Sequence, residues 1–317
     1  MNKRERVKAF MEGKPVDRVP VGLWLHFPKE RTKGHACVEA HLDYYQAWDL
    51  DIVKIMSDGY MNYPSPIVKQ IQAPKEWYGM RPLGMAHPFW AEQLERVQAI
   101  RKGLKEDMPA FYSVFAPFTY LRFAAGTPLM MEHLRQAPEA VAHAMSIVRE
   151  DMQAFCEALF AQGCCDGLYF CLHSGERDRM TEKMYRTFIA PPELSVLQCA
   201  NSFSDQTILH CCGWAGNPNR MTRWQNYPAK AVNWAVHIEG LSLAQGKAFF
   251  GGKSVIGGFD NRQGGVLFSG SKEAVQQETR RILAECGSQG LMLGADCTLP
   301  VDFDRKRIQW VLEAIRA

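Results

Sequence analysis

The chain has 317 residues, a formal net charge of +3 and a pI near 8.3. Hydrophobic residues make up 47% and charged residues 22%, which excludes a disordered chain, and no uninterrupted apolar run is long enough for a membrane span. The small, evenly spread charge excess excludes a nucleic-acid footprint. Met1 to Phe10 is charged and lacks the apolar core of a secretory signal, so the expected location is cytoplasmic, with the ten cysteines reduced and some available to bind metal rather than paired in disulfides.

Short apolar runs alternate with longer helical stretches. The predicted strands, in chain order, are Val19–Leu25, Asp51–Met56, Ala110–Phe115, Gly167–Leu172, Gln206–Cys211, Ala231–Val236, Ser254–Gly258 and Leu291–Gly294. Between them the spacing predicts helices over Ala36–Trp48, Glu92–Leu104, Pro138–Gln162, Glu182–Ser202 and Lys272–Glu285, with Phe303–Arg316 as a closing helix. Eight strands alternating with helices predict an α/β fold, a single (β/α)8 TIM barrel. An open doubly wound sheet would carry a glycine-rich first turn, whereas the first strand here leads into Trp24-Leu25-His26-Phe27. No repeat, low-complexity tract or linker divides the chain, so residues 1–317 are expected to form one domain.

In such a barrel the chemistry sits where strands end and loops begin. The first strand ends at His26 and the second runs into Asp58. The fourth ends in His173-Ser174-Gly175-Glu176, the fifth in His210-Cys211-Cys212-Gly213 and the sixth at His237, while Asp296-Cys297 follows the eighth. His210 and Cys212 are the sharpest pair. Residues i and i+2 of a strand share a side, so both can reach one point above the barrel mouth while Cys211 faces the helix layer. An imidazole and a thiolate aimed at one point suit Zn²⁺, and Cys297, across the mouth, can supply the third ligand of an open, catalytic site. On spacing alone, buried thiols beside a hydrogen-bonded core histidine remain the alternative. Asp58 is either a catalytic carboxylate or a turn cap before Gly59. His173 and Glu176 are either acid–base groups, a fourth metal ligand, or solvated loop side chains. Gly251-Gly252-Lys253-Ser254 ends like a phosphate loop, but Lys247 stands where that pattern needs glycine.

Several segments carry a resemblance. Asn2–Phe10, Gly13–Pro20, Asp49–Asp58, Ala116–Thr119, Ile208–Gly213, Ile256–Asp260 and the stretch from Gly290, in that order, resemble the uroporphyrinogen decarboxylase superfamily along nearly the whole chain. The resemblance implies a barrel of eight parallel strands and matches the family's catalytic aspartate to Asp58. Decarboxylases proper carry an Arg-Gln-Ala-Gly-Arg-type segment after the first strand; here the stretch reads Trp24 to Arg31 without that anionic clamp, and the catalytic tyrosine falls near Phe123. The corrinoid-linked methyltransferases of the superfamily bind zinc through His-x-Cys and a distant cysteine, which matches His210, Cys212 and Cys297 one for one. This branch implies Zn²⁺ and a corrinoid (cobalamin) on a separate carrier protein, with methyl transfer between that corrinoid and a thiol or other small acceptor. A decarboxylase-like lyase working through Asp58 is the alternative. The expected partners are a small-molecule methyl donor or acceptor and the corrinoid protein, with a homodimer left open.

Overall fold

The computed structural model describes residues 1–213 and 216–316. Its centre is a parallel sheet of seven strands, β1 (Val53–Ile55), β2 (Ala110–Phe115), β3 (Gly167–Leu172), β4 (Ile208–Cys211), β5 (Ala231–Trp234), β6 (Ser254–Phe259) and β7 (Leu291–Ala295), each hydrogen-bonded to its sequence neighbours. Every strand residue is buried. Burial on both faces is what a parallel sheet layered with helices requires, and it explains why the strands read as continuous apolar runs. Helices over Gly34–Ala47, Pro88–Gly103, Pro138–Ala161, Ala190–Phe203, Lys272–Cys286 and Lys306–Arg316 lie close to the expected ones. No helix among the described residues is long and apolar enough to cross a membrane.

Three departures have local causes. The first expected strand, Val19–Leu25, makes only single parallel bridges, Val21 to Leu293 and Leu25 to Leu299. Pro20 has no N–H to offer a ladder, and the N–H of Val21 goes to the Asp51 carboxylate, 2.7 Å away. The segment nevertheless touches both edges of the sheet: Gly22 N–H donates to Leu293 O, and Asp51 N–H, just ahead of β1, donates to Val21 O, each at 2.9 Å. Buried Asp51 is also held by Arg6 and Arg18, both at 2.7 Å. The Val16-Asp17-Arg18 stretch is thus part of an ion-pair clasp.

The expected helix Glu182–Ser202 is broken into a short turn, a wide five-residue π turn at Tyr185–Ile189, and a helix from Ala190 to Phe203. Pro191 and Pro192 remove two consecutive N–H donors there, and the wider turn accommodates the loss. The sixth expected strand stops at Trp234, and Val236–Glu239 forms one helical turn, so His237 lies on that turn rather than at a strand end.

Candidate metal centre and cavity

The strand alternation selects the lining of one cavity. Lys54 and Met56, Ser113 and Phe115, Cys171 and His173, and His210 and Cys212 are i, i+2 pairs on or just past β1 to β4, and all line it together with Asp58, Phe123, Cys297 and Thr298. It opens where the strands end, and its accessible volume is about 180 Å³, below the roughly 300–1,000 Å³ of sites for drug-sized ligands.

His210, Cys212 and Cys297 converge here, with ligand atoms all within 4.8 Å of one another. Cys212 Sγ is 3.7 Å from Cys297 Sγ, and Cys297 Sγ is 3.5 Å from His210 Nε2. Around a tetrahedral centre with Zn–S of about 2.3 Å and Zn–N of about 2.0–2.1 Å, two sulfurs stand about 3.8 Å apart and a sulfur and a nitrogen about 3.6 Å. The donor types fit zinc, and so do the two separations made by Cys297. Cys211 is fully buried on the opposite side, and burial pushes its thiol well up, as the strand parity requires.

The ring of His210 is oriented from behind. On β5, in register with His210, Asn233 donates through Nδ2 to the carbonyls of Ile256 (2.9 Å) and Ala295 (3.1 Å). Those two acceptors fix the amide, so Oδ1 must face His210 Nδ1 and the Tyr169 hydroxyl, which donates to it at 2.7 Å. An acceptor at Nδ1 puts the ring proton there and leaves the Nε2 lone pair facing Cys297 Sγ. Cys297 is held below the usual thiol range by its hydrogen bond with Cys212, and then by His210 and Lys54, against the effect of burial.

Asp58 lines the same cavity. Burial alone would push its carboxyl up, but the hydrogen bond with His26 (3.0 Å), aided by the charges of His26 and Lys54, holds it below the usual carboxylate range. His173 packs against the rings of Phe115 and Phe123, and burial pushes its imidazole down to about 3, so it is neutral in the physiological range. Glu176 does not line the cavity. It is buried in a two-pronged ion pair with Arg122, at 2.6 and 2.9 Å, and also receives Arg179 at 3.1 Å.

Sequence reasoning missed Asn233, Tyr169 and Lys54. Asn233 and Lys54 were visible as polar interruptions of apolar runs, Ala231-Val-Asn-Trp234 and Ile52-Val-Lys-Ile-Met56. The tyrosine carried no signal.

The sequence profile described as "Uroporphyrinogen decarboxylase (URO-D)" matches residues 2–317. The chain belongs to this family. Among solved structures, a methyltransferase from Methanosarcina mazei superposes with a TM-score of 0.77 at 16% identity, covering 100% of this chain and 98% of that one. A B12-independent methionine synthase from Shewanella sp. W3-18-1 gives a TM-score of 0.53 at 11% identity, covering 94% and 96%. At these identities the likeness is one of fold. No curated protein sequence matches the chain.

Proposed function

We propose that this member of the uroporphyrinogen decarboxylase family is a zinc-dependent methyltransferase that moves a methyl group between a corrinoid carried on a separate protein and a thiol or other small acceptor. The observation that carries the reading is the convergence of His210, Cys212 and Cys297 at the mouth of the strands, with Cys297 at metal-ligand spacing from each of the other two. The fold likeness to a protein named as a methyltransferase supports it.

His210 would hold the metal through Nε2 and the two cysteines through Sγ. When bound, zinc would supply a Lewis-acidic open position that favours the deprotonated form of an incoming thiol. Asn233 keeps the His210 lone pair aimed, the neutral His173 adds no positive charge at the cavity wall, and Phe115, Phe123 and Met56 supply the apolar part of the lining. We further read the Val19–Leu25 segment as the eighth stave closing a barrel, residues 1–317 as one domain, and the cytoplasm as the location, where the ten free cysteines stay reduced.

The second reading is a lyase centred on Asp58, which lines the cavity in its ionised form. Against it stands a lining with no arginine among the described residues to clamp several substrate carboxylates. Two measurements separate the readings. Protein purified without chelators should hold about one zinc per chain; Cys212→Ala or Cys297→Ala should lose it, and Cys211→Ala should keep it. Metal-loaded protein given methylcobalamin and a panel of thiols should form a methyl thioether. A chain that takes up no zinc, or whose activity is unchanged when zinc is removed, would move the lyase reading ahead.

A further inference from the structure

Five cationic side chains are buried among the described residues: Arg6, Lys54, Arg96, Arg122 and Arg223. Four of them are partnered. Arg6 pairs with Asp17 and Asp51, and Arg122 with Glu176. Arg96 donates to the Tyr112 hydroxyl. Arg223 donates to the carbonyls of Ser174 and Met180. Lys54 is the exception. Its Nζ rests 4.2 Å from the Tyr169 ring centroid and 4.9 Å from that of Trp24, with no hydrogen bond to a described residue and no described carboxylate within 4 Å. The residue is 3% exposed, and what it faces is the cavity. Ring faces attract an ammonium but do not replace its lost water; buried charges are ordinarily paired and hydrogen-bonded.

We propose that Lys54 anchors a carboxylate of the small molecule that occupies this cavity. Among the described residues Lys54 is the only lysine or arginine lining it, and the Asp58 carboxylate on the same wall opposes a multiply charged anion, so the complement is a monoanion. The position ties this anchor to the metal triad. Tyr169 presents its ring to Lys54, and its hydroxyl lies 3.2 Å from His210 Nδ1. One tyrosine therefore separates the ammonium from the ring of a metal ligand. In a cavity of about 180 Å³, one short molecule reaches both. The substrate class is then a small carboxylic acid with its reacting atom a few bonds from the acid group. The inference rests on the cavity being the substrate's, as in the reading above, and needs no metal.

The test is a titration of metal-free protein with propionate and with propionamide, followed by calorimetry or by NMR of the labelled ligand. The two differ in charge and hardly in shape. Propionate should bind at least about tenfold more tightly, the low end for a hydrogen bond to a charged group, and Lys54→Met should abolish the preference. The wild-type comparison stands even if the variant folds poorly. Equal binding of acid and amide would overturn the proposal, as would a preference that survives in Lys54→Met. Sulfate or phosphate binding as tightly as propionate would also overturn it, by making Lys54 a general anion site. The outcome is separable from the methyl-transfer reading. A chain that holds no zinc but keeps the preference upholds Lys54 and sinks that reading, and a zinc-loaded chain without the preference does the reverse.

Discussion

Replacing Asn233 by Ala separates a positioning role from a merely structural one. The change removes the acceptor for His210 Nδ1 and for the Tyr169 hydroxyl, and it strips the Ile256 and Ala295 carbonyls of their donor. A buried polar group left without a partner costs about 1–3 kcal/mol, so the two carbonyls predict a loss of about 2–6 kcal/mol. That is large against a total stability of about 5–15 kcal/mol, so zinc affinity is compared on the folded fraction. Loss of the outer partner of a metal-binding histidine weakens metal affinity about 10–100-fold. Tyr169→Phe removes one hydroxyl and leaves the amide in place, so its loss should be under about tenfold. Zinc affinity is read by competition with a chromophoric chelator, and stability by urea unfolding of the metal-free forms. If Asn233→Ala loses stability yet binds zinc as tightly as wild type, the amide does not set the His210 ring and the orientation argument fails.

Three further outcomes follow from buried charge. In metal-free protein, iodoacetamide should label Cys297 first, below the free-thiol pKa of about 8.5, and zinc should protect it. Cys156, Cys165 and Cys211, whose thiols burial pushes up, should react only on unfolding, and uniform labelling of all these thiols would refute the ordering. Glu176→Gln removes the carboxylate charge facing buried Arg122 and should cost about 3–5 kcal/mol; full stability with lost activity would instead make Glu176 a reacting group. Burial raises the Glu193 carboxyl from 4.5 to about 7 despite three hydroxyl donors. The folded state therefore keeps a proton that the unfolded chain has released, and stability should fall by about 3 kcal/mol as pH rises from 4.5 through about 7. Glu193→Gln should flatten that slope, and equal pH profiles of the two proteins in urea would refute the assignment.

What the sequence made legible was whatever depended on strand parity. His210 and Cys212 could be placed on one side because a strand alternates, and Cys211 on the other for the same reason. Cys297 needed only the end of β7 to lie near the end of β4. The unforeseen parts depend on contacts between segments distant in the chain. Nothing local to Val19–Leu25 says that a carboxylate thirty residues on will take the N–H of Val21. Nor does His173-Ser-Gly-Glu176 say which of its side chains faces the cavity, because the loop has left the period of the strand. Asn233 and Lys54 were readable in principle. A polar residue at an inward position of a buried strand breaks the local rule, and such breaks gather where a site is built.

The loop after β3 shows how that site is held from outside. The His173 carbonyl accepts from Arg122 at 2.5 Å, and the same guanidinium grips Glu176. Between them, the Ser174 hydroxyl donates to Glu193 at 2.6 Å, and the Ser174 carbonyl accepts from Arg223 at 3.0 Å. Gly175 lies so close to Trp224 and Asn219 that a Cβ would come within 2.1 Å and 2.6 Å of their side chains. Its carbonyl accepts from Arg220 N–H at 2.8 Å. Asn219 in turn donates through Nδ2 to the carbonyl of Cys212 at 3.1 Å. A chain of buried polar contacts therefore runs from Arg122 through the His173 loop to the backbone of a metal-ligand candidate without entering the cavity. Glu176, which sequence position alone leaves open as an acid–base group, a metal ligand or a solvated loop side chain, is one link of it. Substitution along this chain should act on both loops together, because the backbone of Cys212 is positioned by the same contacts that fix His173.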